Sequence, residues 1–115
     1  MVSRTTPLAL ATMLLAAAAF AQGVPMKEQK PGLLRRAKVS ADVATAAART
    51  KVPKGKITSA EIEEENGKLI YSFDIKTAGK IGIDEVNVDA TSGAVSVQHE
   101  TPRDEAKERA ADKKR

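Results

Sequence analysis

NGKLIYSFDI, residues 66–75, carries the chain's one Tyr and one of its two Phe. Asn-Gly ahead of alternating apolar and polar residues is the strongest short hairpin signal a sequence offers, because both residues tolerate the positive φ of a type I′ turn. A period of two places Leu69, Tyr71, Phe73 and Ile75 on one side of a strand and Ile70, Ser72, Asp74 and Lys76 on the other. A strand with one apolar and one polar side belongs to a sheet covered on one face only. The first set is the predicted core. The second is the face left for a partner.

Working outward, Lys56–Glu65 (KITSAEIEEE) reads as the strand before the turn. TAGK at 77–80 turns the chain again, into a third strand at Ile81–Asp89 (IGIDEVNVD). Gly82 within it marks a bulge or a point of close backbone approach. In DATSG (89–93), Asp89 can bond backbone groups ahead of it and Gly93 can take φ > 0. Ala94–Glu100 is the short closing strand.

Upstream, Ser40–Lys51 (SADVATAAARTK) reads as a helix. Ser40 suits the N-cap and Asp42 the positive end of the dipole, while Arg49 and Lys51 suit the negative end. Val43, Ala46, Ala47 and Thr50 have the spacing of a buried stripe. Nearly all are small, so the helix must lie close against its partner surface. Pro53 and Gly55 end it. The expected fold is α+β: one N-terminal helix on a four-stranded antiparallel meander, spanning residues 37–100. A domain of that size without disulfides is marginal, and the chain has no Cys. Tyr71 and Phe73 are therefore expected to supply a large share of its core.

The flanks read differently. Residues 1–21 have the form of a secretory signal peptide: Arg4 as the positive region, an apolar run, and Ala19-Phe20-Ala21 as a small-x-small cleavage site. The apolar run Leu8–Ala21 is shorter than the roughly 20 residues a membrane-spanning helix needs. The expectation is an exported protein, periplasmic or secreted, cleaved near Ala21, with no stable membrane span. Residues 22–36 read as a flexible lead-in, with Leu33-Leu34 a first anchor. RRAK at 35–38 is a solvated basic segment or a contact for an anionic membrane surface. Residues 101–115 (TPRDEAKERAADKKR) are charged, with Thr101, Pro102 and Asp104 able to cap a helix. They have no apolar stripe, so disorder or a lone frayed helix is expected. The net charge of +4 falls by one with loss of Arg4 and is interspersed along the chain. It does not imply nucleic acid.

The order and spacing of these pieces resemble the PepSY domain family. The matching positions are Gly55 before the first strand, Asn66, Gly67, Lys68 and Tyr71 across the first hairpin, and Glu85, Val86, Val88, Asp89, Ala90, Gly93 and Val95 across the last. The resemblance covers about Ala37–Val97. Two departures stand out: Ile81–Asp84 where many members carry an aromatic, and Ala and Thr where many have acidic helix residues. The resemblance implies a domain without catalytic residues. Such domains occur in propeptides of thermolysin-like secreted metallopeptidases, in envelope proteins and as small exported proteins, and a peptidase-inhibiting or peptidase-regulating role is implied for them. The motif residues Gly55, Asn66, Gly67, Tyr71, Phe73, Glu85, Val86, Val88, Asp89 and Gly93 read as structural.

Chemistry is scarce. With one His and no Cys, a Cys–His couple is excluded and a His-rich zinc site is not available. His99 reads as a surface residue at the end of the last strand, and no G-x-S-x-G is present. Glu61, Glu63 and Glu65 share one side of the first strand. They could hold Ca²⁺ weakly, or form a solvated face paired with Lys68 or Lys76. No cofactor is expected. The leading function is a non-catalytic binding module for a protein or peptide partner, in its specific version the modulation of an extracytoplasmic peptidase. The alternatives are an envelope interaction or sensing domain with no protease link and, more distantly, an enzyme or a weak calcium binder.

Overall fold

The computed structural model describes residues 20, 21 and 23–113. The predicted signal peptide lies outside them but for its last two residues. The elements in chain order are β1 (Phe20–Ala21), β2 (Val24–Glu28), α1 (Leu33–Arg36), α2 (Ala41–Lys51), β3 (Gly55–Glu65), β4 (Lys68–Thr77), β5 (Ile83–Asp89), β6 (Val95–Glu100) and α3 (Pro102–Lys113). The strands stand side by side in chain order. From β3 to β6 every pairing is antiparallel.

The expected four-stranded meander is thus present, but it is part of a larger mixed sheet. β2 pairs parallel to β3, with Met26 opposite Ala60, and the two residues of β1 pair with Pro25 and Val24. The stretch read as a flexible lead-in therefore holds a strand and a short helix. Parallel neighbours need a long crossover connection, and α1 and α2 supply it. The single-helix expectation also changes, since α1 and α3 join α2. Ion pairs tie the N-terminal segment to β3: Glu64 takes Lys30 at 2.8 Å and Arg36 at 2.7 Å. Its backbone N–H donates to Gln29 Oε1 at 2.9 Å.

Asn66 (φ 52) and Gly67 (φ 78) both adopt the positive φ of the tight turn joining β3 to β4. On β4 the alternation is clean: Leu69, Tyr71, Phe73 and Ile75 are buried. The Tyr71 and Phe73 rings lie 6.4 Å apart at 21°, a spacing at which aromatic pairs attract by about 0.5–1.5 kcal/mol beyond burial. Tyr71 Oη donates to Val39 O at 2.7 Å. This satisfies its polar end and ties β4 to the residue ahead of the α2 cap. Burial pushes the Tyr71 phenol up from its ordinary value.

α2 starts as expected: Ser40 Oγ accepts from Val43 N at 3.2 Å. The buried stripe is rotated, however. Ala44, Thr45 and Ala48 are buried and Ala47 is half-buried, while Val43, Ala46 and Thr50 are exposed. Both stripes have helical spacing. The one turned inward lacks the bulk of Val43, which would hold the helix away from the Tyr71 and Phe73 layer. Thr45 meets the burial requirement by donating its hydroxyl to Ala41 O at 2.7 Å.

Candidate functional site

The sheet face turned away from α2 carries the predicted partner residues and the predicted acidic cluster. β3 skips one residue between Ile57 and Ser59. Beyond this irregularity Glu61, Glu63 and Glu65 stand opposite Ser72, Ile70 and Lys68. Of the two lysines the sequence offered, Lys68 stands opposite Glu65 in the register and Lys76 stands opposite Lys56. Burial lifts the Glu63 carboxyl above its ordinary value, and Glu61, Glu65 and Glu85 lift it further. Among the described residues no group of three or more His, Cys, Asp or Glu is placed to hold a metal ion. The Glu61, Glu63, Glu65 cluster is an array of mutually repelling carboxylates along a strand.

The predicted partner residues largely serve the domain itself. Lys76 Nζ donates to Lys80 O at 2.7 Å and Gly82 O at 2.9 Å, holding the β4–β5 loop. Asp74 Oδ2 accepts from Ser59 Oγ at 3.1 Å. Ser72 Oγ reaches Glu85 Oε2 at 3.5 Å. Ile70 is half-buried. Burial and then Asp74 raise the Glu85 carboxyl.

At the end of this face α3 adds another acid. Thr101 caps α3, its N–H donating to Asp104 Oδ2 at 3.0 Å and its Oγ1 accepting from Asp104 N at 3.2 Å. The bond from the Thr101 N–H, with a second from its hydroxyl to Asp104 Oδ2 at 2.9 Å, holds the Asp104 carboxyl below its usual range. Glu108 then comes to lie beside Glu100. Desolvation, a hydrogen bond to Glu108 and repulsion from Glu108, Glu85 and Asp74 push Glu100 up to about 7.

The motif residues near the chain reversals have clear roles. Asp89 Oδ1 accepts from Thr91 N at 2.8 Å and Ser92 N at 3.0 Å. These bonds lower its pKa. Its backbone closes the hairpin: Asp89 N donates to Ala94 O, and Gly93 N to Asp89 O, each at 2.8 Å. Val86 and Val88 are buried in the core. Gly55 lies against Ile75 and Val52, with no room for a Cβ. Gly82 has φ +84 and packs on the Glu100 carbonyl, the close approach its position in the third strand suggested.

One constellation escaped the sequence reading. Asp84 is buried on the α2 side of β5, where alternation places it with Val86 and Val88. Its Oδ1 meets His99 Nδ1 at 2.8 Å and its Oδ2 meets Lys80 Nζ at 3.4 Å. The His99 hydrogen bond is the main reason its carboxyl lies below the usual range. His99 is exposed near the end of β6, as the sequence suggested, and there it also partners a buried carboxylate. The one available signal was the carboxylate at an apolar position in IGIDEVNVD. No nucleophilic hydroxyl completes a catalytic relay with this couple among the hydrogen bonds of the described residues.

Asp84 also lines a cleft of about 420 Å³, with Lys51, Val52, Pro53, Lys54, Thr77, Lys80 and Val97. α2 lies over β4 to β6, and the cleft opens at its C-terminal end, where Lys51 to Lys54 leave the sheet's margin. Val97, on the α2 side of β6, is exposed.

The family model described as "Peptidase propeptide and YPEB domain" matches residues 38–96. The chain belongs to the PepSY family. The match runs from just before α2 into β6, so the PepSY unit is α2 with the meander. β1, β2, α1 and α3 lie outside it. No curated protein and no solved structure gives a significant match. PepSY membership is consistent with a peptidase-propeptide-like regulatory module.

Proposed function

We propose that the chain is an exported, non-catalytic binding module that regulates an extracytoplasmic peptidase. The observation that carries this reading is the PepSY match over residues 38–96. The deployment of side chains supports it. The large residues are spent on packing, and the one His is committed to a buried Asp. What the domain has to offer a partner is surface and exposed sheet backbone. A sheet edge can receive or present an extended segment and so occlude a peptidase cleft without any catalytic group.

The test is capture from an envelope extract with the purified chain as bait, together with secreted protease activity measured with and without added protein. A recovered peptidase whose activity falls or shifts supports the reading. Recovery of no peptidase, joined to unchanged proteolysis, overturns it and leaves an envelope interaction domain with no protease link.

A further inference from the structure

The two outer strands of the sheet are finished differently. In the exported, cleaved chain the outer strand at one end is β2, whose Pro25 offers no N–H. Proline and charge are the usual means of blunting a sheet edge. β6, with the sequence VSVQHE, has no Pro, no Lys and no second strand beside it among the described residues. The hydrogen bond from Asp89 N to Ala94 O fixes which backbone groups are free. In an antiparallel ladder bonded and non-bonded pairs alternate. With Asn87 opposite Ser96 and Val86 opposite Val97, Ser96, Gln98 and Glu100 bond to β5. The N–H and C=O groups of Val95, Val97 and His99 point to the open edge.

The side chains of those same three residues face the side of the sheet that holds the cleft. An added strand would set a residue opposite Val97 with its Cβ roughly 4.5–5.5 Å away and directed to the same side. The cleft there is basic. Lys51, Lys54 and Lys80 line it against one carboxylate, Asp84. That carboxylate is already engaged by His99 and Lys80. Lys51 and Lys54 make no ion pair among the described residues.

We propose that the β6 edge and the adjoining cleft form one docking site for an extended peptide, added as a strand, with an acidic side chain seated against Lys51, Lys54 and Lys80. The site rests on the binding-module reading and supplies its recognition rule. A second copy of the chain is disfavoured by the same charges. Two-fold pairing of β6 with β6 keeps both clefts on one side of the joined sheet and brings their lysines together.

The probe is a blocked nine-residue peptide of alternating Thr and Val with a central Glu, compared with the same peptide carrying a central Lys. Amide shifts of the full chain are followed by NMR. The Glu peptide should shift and protect the Val95, Val97 and His99 amides. It should bind about tenfold more tightly than the Lys peptide, a difference that high salt erodes. Val97→Pro removes an outward N–H that no neighbour uses, so the variant should keep its fold and lose the peptide. The double variant Lys51→Glu, Lys54→Glu should reverse the preference in favour of the Lys peptide. Unchanged β6 amides with either probe, or equal affinity for the two, would overturn the site. So would a dimer in sedimentation that protects those amides without peptide. The regulatory reading is separable: peptide docking with no peptidase captured from the extract sinks regulation and leaves the site standing.

Discussion

The covered face of the sheet and its β6 edge are built from similar residues to opposite ends. Under α2, Tyr71, Phe73, Ile75, Val86 and Val88 are sealed, and even the Tyr71 hydroxyl has a partner. At β6, Val97 is 46 % exposed and alternate backbone groups face solvent. α2 can lie close to the sheet because its inward residues are Ala44, Thr45 and Ala48. It reaches β6 but leaves Val97 exposed. Buried side chains are concentrated on the covered face, and the unbonded backbone groups lie at the edge.

Tyr71→Ala should expose this contrast most strongly. Removing a fully buried ring should cost about 3–5 kcal/mol in urea unfolding. A loss below about 1 kcal/mol would make the ring a surface contact and dissolve the distinction. Ala48→Leu, which inserts bulk beneath α2, should cost about 1–3 kcal/mol. Val43→Leu, on the exposed side of the same helix, should stay within about 0.5 kcal/mol. If Val43→Leu proves the costlier of the two, the helix is turned as the sequence alone suggested. Tyr71→Phe keeps the ring and removes the bond to Val39 O, with an expected loss of about 1 kcal/mol.

The smallest effect concerns α3. Glu100 has an ordinary value of 4.5 and is raised to about 7 in the folded chain. A raised carboxyl binds its proton more tightly when folded, so its contribution is full below about 4.5 and is lost as pH rises towards 7. Glu108, Glu85 and Asp74 face it. α3 should therefore loosen from the sheet as pH rises through that window, seen as faster amide exchange in α3. Glu108→Gln should flatten the dependence. An α3 equally protected at both ends of the window would remove the carboxyl pair from the account.

Much of the fold was legible because it is written in local signals. Asn66-Gly67 and DATSG specify their turns, and Leu69–Ile75 alternates without a break. β2 was not legible. VPMKE holds a Pro and does not alternate cleanly, and its pairing depends on β3 some thirty residues away, with Met26 opposite Ala60. The face of α2 was ambiguous because an alanine-rich helix carries two stripes of the same spacing, and only the shape beneath it chooses between them. The Asp84–His99 pair joins two strands through a register that no local pattern states. The open edge was foreseeable as a general property of a meander. Its basic cleft was not, since Lys51, Lys54 and Lys80 meet only after folding.

Native-state hydrogen exchange tests the contrast between face and edge most directly. The amides of Tyr71 and Phe73 should exchange only through global unfolding, and those of Val95, Val97 and His99, which no neighbour bonds, without any opening and orders of magnitude faster. Equal protection of the two sets would mean that the β6 edge is already covered, and would contradict the account at its centre.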